Sequence, residues 1–251
     1  MTMLTKKRTN PLFRADAFRL IAGDERADRA LEDPDSIDLL VWNIFSTLQS
    51  HSDPRWLAGR LELLGGPNVR PPLRIGLFTG AEREPLLEPP ASYIATVRER
   101  ARGVGGDDAS VADFGAPVQV PVRIESPDVV ALVDAVDDQT NLGHGGRERL
   151  VELIDVGLEQ ARRTGKTLAV AVLYRSGSAA AAAVSARVNA LRSDAALAAE
   201  LPHRRKLPPV VLRELSWQQL LRLWQTELAY MDTDGLPVKQ FLAHCRDRGL
   251  L

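Results

Sequence analysis

The segment Thr167 to Tyr174, TLAVAVLY, constrains this chain more than any other, because a nearly continuous apolar run of that length fits a strand buried on both faces. Upstream, Leu150, Leu153, Ile154, Leu158 and Ala161 keep helical spacing within residues 147–163, and Gly165 stands where a C′ glycine ends a helix. Downstream, the alanine-rich stretch 178–201 favours a helix whose Val184, Val188, Leu191 and Leu197 offer packing sites. Residues 210–215 read as a last strand. Ser216 can then N-cap a helix carrying Trp217, Leu220, Leu221, Leu223 and Trp224, and residues 237–248 form a terminal helix. Strands alternating with helices, the most apolar strand late, indicate a mixed α/β domain.

The first half is more helical. Residues 1–35 read as an N-terminal arm or short helix packed on the body, with one amphipathic segment around Phe13, Phe18, Leu20 and Ile21, and residues 36–251 as a single domain. Asp35 and Ser36 precede Ile37, Leu40, Val41, Ile44, Phe45 and Leu48, whose spacing predicts a capped helix. Pro54 begins a second helix through Trp56, Leu57, Leu61 and Leu64, which Gly65-Gly66-Pro67 stops. A strand over 73–79, a proline-containing loop over 82–90 and a helix over 92–102 follow. Residues 103–110, containing GVGGDD, form the most linker-like stretch, without the strand and helix that would make a phosphate-binding loop.

Composition narrows the function classes. The formal net charge is −1, so no global field announces nucleic acid. The sole cysteine, Cys245, cannot form an intramolecular disulfide, and no cluster has zinc-ligand spacing. No segment approaches the roughly 18 consecutive apolar residues of a membrane span. A cytoplasmic protein without a membrane partner is expected.

The stretch from Val118 to Asp137 reads as two strands, 118–125 and 129–137, joined through a Ser126-Pro127-Asp128 corner. This hairpin, the helix RERLVELIDVGLEQARRTGKTLAVAVLY with its strand, and the late LRELSWQQLLRL resemble the PD-(D/E)XK, restriction-endonuclease-like nuclease superfamily. The resemblance covers residues 118–224 and, weakly, 36–50. It implies a restriction-endonuclease-like mixed sheet flanked by helices. In that family a strand ends near a Thr/Ser-Pro-Asp corner and the returning strand carries Glu-x-Lys. Carboxylates hold Mg²⁺ to polarise the phosphate and activate water, and an acid and a lysine two positions apart on one strand share a face.

Carried onto this chain, the first acid falls at Pro121, the second at Asp134 and the lysine at Val136. Only Asp134 can ligate. The lysines are Lys6, Lys7, Lys166, Lys206 and Lys239, so a local cation would have to be Arg123, Arg147 or Arg149. Glu125, Asp128, Asp137 and Asp138 could rebuild a metal site in another register, or serve only as turn and surface residues. Asp134 itself is either a relic facing the old cleft or a residue bound to a local backbone or arginine partner.

Other candidates have plain structural explanations. His144 lies in GHGG without a nominated nucleophile, and Cys245 reads as an incidental thiol. The four tryptophans fall on helices with apolar neighbours, which favours core packing over base stacking. Arg204, Arg205 and Lys206 form the best basic patch, able to contact phosphates without reading bases, or to remain a solvated loop. The leading expectation is a catalytically degenerate, nuclease-like protein acting as a structural or binding subunit with a protein partner. The resemblance suggests a bacterial DNA-related complex in defence or repair. The alternatives are a divergent Mg²⁺-dependent DNA nuclease using Glu125 or Asp128 with Asp134, and a protein-interaction subunit that never touches DNA.

Overall fold

Short capping interactions set the ends of many elements. The protein is described by a computed structural model covering residues 10–50, 53–79, 87–103, 118–136, 143–144, 147–230 and 236–251. Helices α1 (Ala15–Ala22), α2 (Asp24–Glu32), α3 (Ile37–Gln49) and α4 (Pro54–Gly65) precede strand β1 (Arg74–Thr79) and helix α5 (Ala91–Gly103). The Ser36 hydroxyl accepts from the Leu39 N–H, 3.3 Å, and Asp53 accepts from Arg55 and Trp56, so both expected N-caps form. The hairpin follows as β2 (Val120–Glu125) and β3 (Val129–Ala135). Its corner is held by Ser126, which receives a hydrogen bond from the Val129 N–H, 3.2 Å, and donates its own N–H to the Val129 carbonyl, 2.9 Å.

Two short strands, β4 (Gly143–His144) and β5 (Arg147–Glu148), pair with each other before α6 (Arg149–Thr164). His144 thus lies on a small ladder. Strand β6 (Thr167–Tyr174) follows Gly165, whose φ of 67° is the left-handed C-cap expected there. The predicted helix over 178–201 is broken into α7 (Ala179–Leu191) and α8 (Asp194–Glu200). Arg187 of α7 bridges Glu200 of α8, 2.7 Å, and Glu148, while Leu197 turns inward. The chain closes with β7 (Val210–Ser216), α9 (Trp217–Tyr230) and α10 (Leu236–Asp247). Ser216 caps α9 by accepting from the Gln219 N–H, 3.2 Å.

The strands form a mixed five-stranded sheet of order β1-β2-β3-β6-β7. β1, β2 and β3 are antiparallel neighbours, whereas β3, β6 and β7 run parallel, joined by the crossovers through α6 and through α7 and α8. Helices cover both faces. Val129, Ala131 and Val133 of β3 face a core shared with α3, α4 and α9, while Val130 and Leu132 face α6 and α7. The helix α6 approaches closely because Gly157 has no side chain: a Cβ there would lie 2.6 Å from Leu168 and 3.0 Å from Leu132. β6 is buried on both faces, as its apolar run requires.

Residues 10–32 pack on this body and include the helices α1 and α2. Phe18 is fully buried between the rings of Trp42 and Phe78, at 5.1 and 5.2 Å, and Ala27 and Ala30 are also inaccessible. Asn43 of α3 accepts from the Phe13 N–H and donates to the Pro11 carbonyl. Phe13 packs on Phe241 and Trp224, at 5.5 and 6.5 Å. Leu20, counted in the expected amphipathic stripe, is 80% exposed; the stripe runs through Phe18 instead. No helix among the described residues is long and apolar enough to cross a membrane.

Candidate functional site

The register of the β2–β3 hairpin defines the site. Val122 pairs with Val133 and Arg123 with Leu132, so continuing the ladder by one residue sets Pro121 opposite Asp134. The ladder with β3 stops short of this point, and the one with β1 skips it: Leu77 pairs with Val122 and Thr79 with Val120, and Phe78 between them takes a left-handed φ of 51°. Proline has no N–H to donate, and within a strand flanked on both sides it removes ladder bonds. Extending the register thus places Pro121 across from Asp134, with Val136 two residues on.

Asp134 points toward α6, and Arg149, the first residue of that helix, meets it. The Arg149 Nε lies 3.2 Å from Asp134 Oδ2 and its Nη2 lies 3.4 Å from Oδ1. Nη2 also donates to the Gln119 carbonyl at the entrance to β2, and Nη1 is 4.0 Å from Glu152 Oε2. Asp134 and Glu152 are both buried, so one guanidinium serves two desolvated carboxylates and a strand-edge carbonyl. Of the two alternatives for Asp134, an arginine partner is the one realised.

This donor set does not fit Mg²⁺ at Asp134 among the described residues, because the carboxylate faces a fixed cation rather than further carboxylates. No group of three or more His, Cys, Asp or Glu side chains among the described residues could hold a metal ion. The rearranged set is not assembled either. Glu125 pairs in register with Val130, four residues from Asp134 along β3, or roughly 13 Å of strand. Its carboxylate instead takes the buried Arg123 guanidinium and, at 3.8 Å, Lys166. Asp128 lies farther still, at the hairpin corner, where it accepts from Arg70 Nη2 at 2.8 Å. Asp137 and Asp138 lie outside the described residues, as do residues 104–110 of the linker-like stretch.

The basic loop after α8 divides. Arg204 is turned inward: its Nε donates to Asp155 Oδ1 and its Nη2 to the Asp155 carbonyl, 2.8 Å, on the buried side of α6. His203 Nε2 lies 2.9 Å from the same Oδ1, and Asp155 is fully inaccessible. Arg204 is therefore spent on holding the loop to α6, while Arg205 and Lys206 remain exposed. Trp42, Trp217 and Trp224 are core residues. Cys245 is buried, and burial pushes its thiol up to about 12, which keeps it protonated.

Two of these features left no local signal. Asp155 sits on the apolar side of an amphipathic helix, and the only hint was a carboxylate among Leu153, Ile154 and Leu158. Arg149 stood among the arginines that could replace a lysine, but nothing in the sequence separated it from Arg123 or Arg147. Compared with known families, curated proteins and solved structures, the chain gives no match to any family model, curated sequence or solved fold.

Proposed function

We propose that this chain is a restriction-endonuclease-like domain whose catalytic position has been converted into an ion pair, and that it acts as a structural or binding subunit. The observation that carries this is the Arg149–Asp134 contact. It lies beside Pro121 and Val136, where the family resemblance calls for an acid and a lysine. A guanidinium held by two carboxylates is a poor proton carrier, and while it stays there it neutralises the one retained motif acid. The order of hairpin, crossover helix and parallel strand supports the family reading. A bacterial DNA-related complex in defence or repair is the setting the resemblance suggests.

A divalent-ion nuclease assay tests this. The full chain with Mg²⁺ or Mn²⁺ is expected to leave single- and double-stranded DNA intact. Cleavage that disappears in a folded Asp134→Asn variant overturns the proposal. DNA contact is a separate arm: salt-dependent binding weakened by Arg205→Ala and Lys206→Ala places the subunit on nucleic acid, and its absence leaves a protein-only partner.

A further inference from the structure

The three parallel strands end at one cleft, and the residue after each strand lines it: Val136 after β3, Arg175 after β6 and Trp217 after β7. The turn before α3 and the segment from His244 to Leu250 complete the wall. Its volume is about 300 Å³, within the range of small-molecule sites. The carboxyl edge of an open α/β sheet is also where such folds bind ligands.

The cleft is chemically divided. Leu40, Val136, Trp217 and Leu250 give it a buried apolar floor. At its rim, Arg175 and Arg248, 73 residues apart, face opposite oxygens of one carboxylate. Arg175 Nη1 is 3.8 Å from Asp35 Oδ1, and Arg248 Nη1 is 3.6 Å from Asp35 Oδ2. Both separations exceed the 2.7–2.9 Å of a charge-assisted hydrogen bond. The Asp35 side chain is 60% exposed, so it rests between two cations without being locked there.

Arg175 is better fixed than the carboxylate. Arg175 Nη2 donates to the Arg248 carbonyl, tying the end of β6 to the segment after α10. Asp33, also on the cleft wall, has its Oδ1 engaged by the Asp35 N–H at 2.9 Å. We propose that this cleft binds a small organic anion, a carboxylate or phosphate monoester on an apolar body. Arg175 and Arg248 hold the anionic group, which displaces the Asp35 carboxylate, and the apolar body rests on the floor beside Trp217.

Calorimetry on the full chain with phenyl phosphate, benzoate, inorganic phosphate and benzyl alcohol tests the proposal. One or both aryl anions are expected to bind saturably below about 10 mM, with whichever binds distinguishing phosphate from carboxylate chemistry. Arg248→Gln keeps the carbonyl that Arg175 uses and should weaken binding about tenfold. Asp35→Asn removes the internal competitor and should tighten it, an effect a merely structural Asp35 would not produce. The proposal is overturned if neither aryl anion binds, if benzyl alcohol or inorganic phosphate binds equally well, or if Asp35→Asn leaves the affinity unchanged or weaker.

Discussion

Arg149 and Asp134 join the first residue of the crossover helix α6 to the penultimate residue of β3, with Nε 3.2 Å from Oδ2. The Asp134 side chain is 9% exposed and that of Arg149 29%, so removing either strands a largely desolvated charge. Arg149→Ala is expected to destabilise the fold by about 2–4 kcal/mol. Asp134→Leu combined with Arg149→Met should recover much of that loss, because the buried charge and its partner leave together. Urea unfolding of the single and double variants measures the coupling; strictly additive effects would show that the two residues do not stabilise each other.

Adjacent arginines in the basic loop should behave differently. Arg204→Ala leaves the inaccessible Asp155 carboxylate with one fewer charged donor and is expected to cost about 2–3 kcal/mol. Arg205→Ala, on an exposed side chain, should change stability by less than about 0.5 kcal/mol. Thermal melts of both variants provide the comparison, and equal losses would contradict the inward pairing.

Gly157 sets the distance between α6 and the sheet. A methyl group there meets Leu168 at 2.6 Å and Leu132 at 3.0 Å, so Gly157→Ala should destabilise by about 1–3 kcal/mol despite alanine's better helix propensity. At Gly59, where a Cβ would meet nothing within 4 Å, the same substitution should be neutral or stabilising. The denaturation midpoint is expected to fall for Gly157→Ala and to stay or rise for Gly59→Ala.

Two titrations should separate by pH. Hydrogen bonding from Arg162, then from Arg163, draws Glu159 down from 4.5 to about 2. A carboxylate lowered on folding stabilises above its unfolded value, so this contribution is lost as pH falls from about 4.5 through about 2. Both arginines are well exposed, which limits the effect to less than about 1 kcal/mol; Glu159→Gln should flatten that part of the profile. His244 acts in a higher window. Burial and then Arg248 lower its pKa, against the Pro34 carbonyl, Asp35 and Asp247, which raise it. The unfolded state therefore binds the proton more readily, and stability should decline as pH falls below 6.5. His244→Phe should remove that decline in a pH series of thermal melts.

Much of the frame was legible because it is local chemistry. Ser36, Asp53, Gly165 and Ser216 mark helix ends by side-chain acceptors or a left-handed backbone, and each does so within three residues of the element it bounds. The apolar run of β6 announced an interior strand for the same reason. Long-range pairings were not legible. Arg204 looked like part of a solvated basic run, because its partner lies 49 residues earlier on a helix whose acidic residues all look alike in one dimension. The cleft was not legible for a related reason: its arginines, its aspartate and its floor come from five separate segments.

The Phe13 ring seated against Trp224 and Phe241 has a consequence for how the molecule is made. The seat for this early segment is built from α9 and α10, near the far end of the sequence. During synthesis residues 10–22 must wait, apolar and unpartnered on that side, until α10 has left the ribosome. A chain terminated before α10 would present an aromatic surface to the quality-control machinery of its cell.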